Sequence, residues 1–274
     1  MPFYDSLAQI TDTHYMHKAR KRFGQNFLRD PGVIQRIVAA VAVKENDNLV
    51  EIGPGQGAIT GLLLERTKTL NVVELDRDLI PILLAQFANH KGFAIHQADA
   101  LKFDFSQFFE PERPLRIVGN LPYNISTPLI FHLLALGNQV KDMHFMLQKE
   151  VVERMAAAPG GKNYGRLSIM TQYHCQVLQL FNVPPECFTP QPKVDSAIVR
   201  LVPRVEIKHQ ANDVAILDQL VTAAFGQRRK TLRNALKQWC SAEELEQQGI
   251  NPTARAETID LEAFVRLANY CQQR

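Results

Sequence analysis

The chain has little of what several protein classes depend on. Its 274 residues include four cysteines, and Cys175, Cys187, Cys240 and Cys271 stand far apart with no Cys-x-x-Cys pair. That spacing suggests neither a zinc site nor a disulfide framework, and it fits a reducing cytoplasm. No apolar run approaches the ~18 residues that span a bilayer. Asp5, Asp12 and His14 occupy the stretch where a signal peptide would be apolar. The expectation is a protein that is neither exported nor membrane-bound. Charge of one sign is scarce too: 31 Lys and Arg against 28 acids leave a net +3, too little to argue for nucleic acid by itself.

What is present is enough apolar material, 46% of residues, for one large domain and a small one. The basic residues are also unevenly placed. Lys18, Arg20, Lys21, Arg22 and Arg29 form one acid-free cluster, and Arg228, Arg229, Lys230, Arg233 and Lys237 form a second. Arg229, Arg233 and Lys237 fall at i, i+4 and i+8, which predicts one side of a helix. A solvated helix face accounts for such a cluster as well as a ligand does. Brought together by the fold, the two clusters would make a phosphate-binding surface.

Residues 48–55, 70–76, 93–99, 115–122 and 141–148 read as strands, the most continuous of them too apolar to have a wet face. Helical patterns such as 58–68 and 126–137 lie between them, the latter with Ser126 or Thr127 as N-cap and Pro128 in the first turn. That alternation predicts a parallel sheet covered on both faces. Residues 175–183 and 196–203 follow one another without a long helix and should pair antiparallel at one edge. Beyond Pro203 no strand pattern occurs; 211–225, 228–240, 241–248 and 260–272 read as amphipathic helices. The boundary falls near 204–211.

The first strand runs into EIGPGQGAIT, with glycines at 53, 55 and 57. The loop is not Gly-x-Gly-x-x-Gly and no Lys-Ser/Thr follows, so neither a dinucleotide fingerprint nor a P-loop is matched. A compact loop after the acidic Glu51 suits a ligand without pyrophosphate, although a tight strand-to-helix turn would look alike. Glu74 ends the next strand at the distance where a carboxylate reaches ribose hydroxyls, and Asp99 ends the third, where it can accept from an adenine amine. Strand-end acids are also common helix caps. Together, at the carboxyl ends of successive strands, these features describe a site for adenosine without phosphates.

The fourth strand ends in Asn120-Leu121-Pro122-Tyr123. Alone this is a strand exit with a turn proline. Beside an adenosine site it suits methyl transfer from S-adenosylmethionine to a ring-conjugated amine, a poor nucleophile that must be aligned and favoured in its rehybridised form. The Asn120 amide oxygen and a main-chain carbonyl at Leu121 or Pro122 can accept the two amine hydrogens. A neutral acceptor does so without burying a charge. Tyr123 can stack on the target ring, an interaction worth about 1–3 kcal/mol.

KARKRFGQNFL (18–28), EIGPGQGAIT (51–60), ELDRDL (74–79), GNLPYNISTPLIFHLL (119–134), FMLQKEVVERM (145–155), FTPQPKVDSAIVRL (188–201) and FGQRRKTLRNAL (225–236), in that order, resemble the bacterial 16S rRNA adenine N6,N6-dimethyltransferases, the KsgA/RsmA family. The resemblance covers residues 16 to 270. It implies a Rossmann-like, seven-stranded, mostly parallel α/β methyltransferase sheet with an antiparallel edge strand in residues 17–205. It also implies a helical RNA- and ribosome-binding domain at 206–274; residues 1–16 are expected to form a flexible arm. The implied activity is dimethylation of two adjacent adenosines in the 3′-terminal hairpin loop of small-subunit rRNA, by a monomer that needs no metal.

Carried over position by position, Asn26, Leu28, Gly53, Gly55, Glu74, Asp99 and Asn120 would contact the methyl donor. Asn120, Leu121, Pro122 and Tyr123 would receive the amine, with Phe188 sandwiching the base opposite Tyr123. A Phe before Thr-Pro is equally suited to core packing. Lys18, Arg20, Lys21, Arg22, Arg228, Arg229, Lys230 and Arg233 would meet RNA. The alternatives are an Erm-type 23S rRNA dimethyltransferase, a DNA adenine methyltransferase, for which an inserted recognition domain is missing, and a ribosome-assembly factor that mainly binds. A nicotinamide-dependent oxidoreductase would leave the Asn-Leu-Pro-Tyr stretch unexplained.

Overall fold

A computed structural model describes residues 20, 25–227 and 229–273. Its centre is a seven-stranded sheet of β2 (Asn48–Ile52), β3 (Leu70–Glu74), β4 (Phe93–Gln97), β5 (Leu115–Asn120), β6 (Val140–Gln148), β7 (Cys175–Val183) and β9 (Ser196–Pro203), in the order β4-β3-β2-β5-β6-β9-β7. Every residue of β2 is buried, as expected of a central parallel strand with helices on both faces. β2 pairs in parallel with β3 and β5, and β5 with β6. Residues 175–183 and 196–203 do pair antiparallel. The reversed strand is β9, however, one position in from the edge, because β9 also runs against β6. The edge strand β7 therefore points the same way as the first five.

Side chains alternate between two apolar layers. Met143, Phe145 and Leu147 of β6 join one core with Ile117 and Val50, and Met146 joins the other with Val118 and Leu49. This is the period-two signature of a strand between two covered faces. Helices α1 (Pro31–Val41), α2 (Thr60–Leu64), α3 (Ile80–Phe87), α4 (Ser126–Leu134), α5 (Lys149–Met155) and α6 (Arg166–His174) lie among the strands. The pattern at 58–68 thus yields a short helix only. Neither Ser126 nor Thr127 caps α4: Ile125 holds that position without a side-chain bond. Ser126 instead donates to the Tyr123 carbonyl at 3.1 Å, tying the helix start to the loop before it.

A third core holds α7 (Val214–Phe225) and, further on, α8 (Leu232–Ala235), α9 (Ala242–Gln247) and α10 (Leu261–Gln272). It reaches back across residue 206, since Tyr164, Ile169, Met170 and Tyr173 pack in it. Arg166 on α6 meets Asp218 on α7 with two bonds, at 2.7 and 2.8 Å. Of the helix expected over 228–240, whose first residue lies outside the described residues, 229–240 yield only the four residues of α8. Leu232, Leu236 and Cys240 are buried, so the helical spacing was real. Yet the Leu232 and Arg233 N–H groups bond to the carbonyls of Ala254 and Pro252, which fix the first residues to a neighbouring loop. Among the described residues no helix is long and apolar enough to cross a membrane.

Sequence patterning did not anticipate β1 (Phe27–Leu28) and β8 (Phe188–Thr189), which form a two-stranded ladder with Leu28 opposite Phe188. It seats residues 25–29 beside the carboxyl ends of the main strands.

Candidate active site

A cavity of about 1630 Å³ opens at the carboxyl ends of β2, β3, β4 and β5. Asn26, Leu28, Gly53, Gly55, Glu74, Asp99, Asn120, Leu121, Pro122 and Tyr123 all line it, so ten of the eleven residues expected to hold donor or amine meet there. Gly53 and Gly55 have φ of +66° and +60°, which side chains rarely adopt. At Gly119, a Cβ would lie 2.6 Å from the Ile52 carbonyl oxygen. Glycine there lets β5 run against β2 up to Asn120.

Among the described residues, four carboxylates line this space, Glu51, Glu65, Glu74 and Asp99, against one arginine or lysine, Arg29. Glu51 is 2% exposed; burial raises its pKa from the ordinary 4.5 to about 8, against the Thr60 hydroxyl bond at 2.7 Å and with help from the charge of Glu74. Burial also raises Glu74, although it accepts N–H bonds from Asp76 at 2.8 Å and Gly55 at 3.2 Å. Asp99 accepts the Leu101 N–H at 3.0 Å and so also shapes its own turn. Such a site favours a ligand that brings hydroxyls, amines or positive charge.

Asn120 is oriented. Its Nδ2 donates to the Asn26 carbonyl at 3.1 Å, which assigns the other end of the amide, Oδ1, to the role of acceptor. The Pro122 carbonyl accepts the Ile125 N–H at 3.2 Å in the turn leading to α4. The half-buried Tyr123 shares a 2.6 Å hydrogen bond between its hydroxyl and Ser196 Oγ. That contact fixes the ring in one seat, and burial, offset in part by Ser196, raises the phenol pKa. Ser196 itself was not anticipated; its position eight residues after Phe188, within FTPQPKVDS, was the available signal.

Phe188 departs from expectation. It is 2% exposed and packs with Leu28, Ile37 and Ile198 in the second core, and it is not among the residues lining the cavity. Its place in the β1–β8 ladder supports the wall behind Leu28, the core-packing role rather than the sandwich.

Of the residues expected to meet RNA, Lys18, Lys21, Arg22 and Arg228 lie outside the described residues. Arg229, Lys230 and Arg233 are exposed, and among the described residues none of the three enters an ion pair. They do not share one helix face, because Arg229 precedes α8 and Lys237 follows it. Arg20 is elsewhere altogether: its guanidinium binds Asp76 at 3.1 Å and also Asp78, at the edge of the cavity. The two basic clusters are therefore not merged by any contact of Arg20.

The chain matches the family model described as "Ribosomal RNA adenine dimethylase" over residues 16–273. It belongs to that family. "Ribosomal RNA small subunit methyltransferase A" of Saccharophagus degradans is 64% identical, covering 94% of this chain and 97% of the relative. The protein of the same name from Pseudomonas aeruginosa is 60% identical over 93% and 95%. Among solved structures, a dimethyladenosine transferase from Plasmodium falciparum superposes with a TM-score of 0.75 at 29% identity, covering 88% of this chain and 95% of that one. The 23S rRNA methyltransferase ErmE does so with 0.68 at 25% identity, covering 90% and 100%. The chain is accordingly an enzyme, an rRNA adenine dimethyltransferase on a Rossmann-like methyltransferase fold.

Proposed function

We propose that the chain dimethylates the N6 amines of two adjacent adenosines in the 3′-terminal hairpin loop of 16S rRNA, in the small subunit or its precursor, with S-adenosylmethionine as methyl donor. The observation that carries the reading is the tethered amide of Asn120 at the mouth of a cavity lined by Gly53, Gly55, Glu74 and Asp99. High identity to small-subunit methyltransferases favours that subunit over others.

The residues fit the donor. Glu74 would accept from ribose hydroxyls, Asp99 from the adenine amine, and the positive-φ loop at Gly53 and Gly55 would let the methionine part approach main chain. When bound, the donor supplies an electrophilic methyl group on a cationic sulfur. Everything else falls to the protein. Asn120 Oδ1 and the Leu121 carbonyl accept the two N–H bonds of the target amine; Leu121 is preferred because the Pro122 carbonyl already closes a turn. Holding both hydrogens favours the pyramidal nitrogen, whose lone pair then points away from the ring. The Tyr123 ring, fixed through Ser196, stacks on the adenine drawn from its loop. The exposed Arg229, Lys230 and Arg233 contact RNA phosphates, which position the substrate without reading it.

The test is to incubate the enzyme and labelled S-adenosylmethionine with unmethylated small subunits, large subunits and DNA, and to map the modified nucleotides. Dimethylated adenosines in the last hairpin loop of the small subunit are expected. Label confined to large subunits or DNA would refute the substrate assignment.

A further inference from the structure

The wall segment Gln25–Arg29 is fastened to the cavity at three places. Asn120 Nδ2 donates to the Asn26 carbonyl, the Arg29 guanidinium donates to Gln56 of the glycine loop, and Gln25 Nε2 donates to Asp76 Oδ2 at 2.9 Å. The third fastening is the most elaborate. Gln25 is held at both ends of its amide, since its Oε1 accepts the Arg20 main-chain N–H at 2.8 Å. The Arg20 side chain then reaches the same carboxylate, Asp76 Oδ1, at 3.1 Å, and spans to Asp78 as well.

Asp76 is 1% exposed, and a carboxylate so buried must be paired or hydrogen-bonded. Its main-chain N–H donates to Glu74 Oε1 at 2.8 Å. One residue thus contacts both the carboxylate read as the ribose acceptor and the wall segment that holds Asn120. We propose that Asp76, with Arg20 and Gln25, is the brace that sets the wall segment against the donor site, so that Arg20 and Asp76 are positioning residues for donor binding and Arg20 is not an RNA contact. The inference rests on the reading of the cavity as an S-adenosylmethionine site. Glu74, Asp76 and Asp78 share one loop with Arg77, which lies 3.7 Å from Asp78, and Arg20 is a cation that reaches Asp76. Losing the brace loosens Gln25 and Asn26 without removing a group that touches the reacting atoms.

The experiment compares wild type with Arg20→Ala, Arg20→Lys and Asp78→Asn, all changes at partly exposed side chains. S-adenosylmethionine binding is measured by calorimetry, donor KM and kcat by methyl transfer to unmethylated small subunits, and subunit affinity by sedimentation. Arg20→Ala should raise donor Kd and KM about three- to tenfold, as expected for losing a partly exposed charged hydrogen bond. Saturating donor should restore kcat, subunit affinity should stay unchanged, and Arg20→Lys, which keeps the charge but not the fork, should fall between. Asp78→Asn should show a smaller loss of the same kind. Unchanged donor affinity in Arg20→Ala overturns the brace, as does a loss of subunit affinity alone, which would return Arg20 to the RNA. If wild type itself fails to bind S-adenosylmethionine, the reading of the cavity falls together with the brace.

Discussion

Both ends of the central sheet bury carboxylates, and Asp142 at one end is treated in the opposite way from Glu51 and Glu74 at the other. At the amino ends, Arg116 of β5 is 4% exposed and makes two bonds to Asp142 of β6, at 2.8 and 3.0 Å, one to Asp47 at 2.6 Å and one to the Val41 carbonyl at 2.6 Å. Arg200 adds a bond to Asp142 at 2.9 Å. Burial alone would raise Asp142, but the hydrogen bonds and charge of Arg116 outweigh it and hold its pKa below the ordinary carboxylate range. At the carboxyl ends, burial raises Glu51 and Glu74, and among the described residues neither forms an ion pair that would offset it. The first end ties β5, β6 and the residue before β2 together through Arg116; the second has more carboxylates than cations along the cavity, which suits the cationic donor proposed above.

The contrast can be broken most forcefully at the amino end. Arg116→Ala strands Asp142 and Asp47 without their shared partner, and a loss of about 3–5 kcal/mol is expected, read as a lower denaturant midpoint. An unaffected midpoint would mean that the network contributes nothing to holding the sheet. Asn120→Ala, at the other end, should lower the rate of methyl transfer by about 100-fold or more, the scale for a preorganised polar group. Thermal stability and affinity for small subunits should be preserved; full activity in that variant would rule out the amine-orienting role.

Glu74→Ala should weaken S-adenosylmethionine binding by about tenfold, measured calorimetrically, with RNA affinity as in wild type. An unchanged donor affinity removes Glu74 from the site. The mildest effect is expected from Glu51→Gln, and it should depend on pH. The folded chain keeps a proton on Glu51 up to about pH 8, whereas the unfolded chain releases it near 4.5. Each step upward through that window favours unfolding. The variant should therefore gain stability relative to wild type between pH 5 and 8, and comparable thermal midpoints at both pH values would show that Glu51 ionises normally. His144, near the amino-end network, has the reverse sign. Burial depresses its pKa to about 4, so its contribution is present above 6.5 and lost as pH falls toward 4.

Much of the sheet could be read from residues alone. β7 and β9 begin and end where the pattern places them, because each is bounded by turns and is rich in apolar and β-branched residues. The carboxyl-end features were equally legible, since a glycine loop and strand-end acids are local signals. What was missed depends on contacts between distant parts of the chain. Two-residue strands such as β1 carry no period, so their pairing with β8 could not be seen. Residues 228–240 kept a helical spacing of Leu232, Leu236 and Cys240, but the loop at 252–254 took the amides of Leu232 and Arg233. Arg20 looked like a phosphate ligand because charge in sequence does not reveal which acid it will meet; Asp76 and Asp78 were within the quoted ELDRDL stretch all along.

The pairing of Leu28 with Phe188 bears on how the enzyme comes into being. Synthesis delivers Gln25–Arg29 early, but the strand on which that segment rests is made only after the first six strands of the main sheet. A contact so distant along the chain is costly in loop entropy to close. The donor cavity is thus walled only after Thr189 has left the translating ribosome. The capacity to carry a methyl group belongs to the nearly finished chain, not to its nascent sheet.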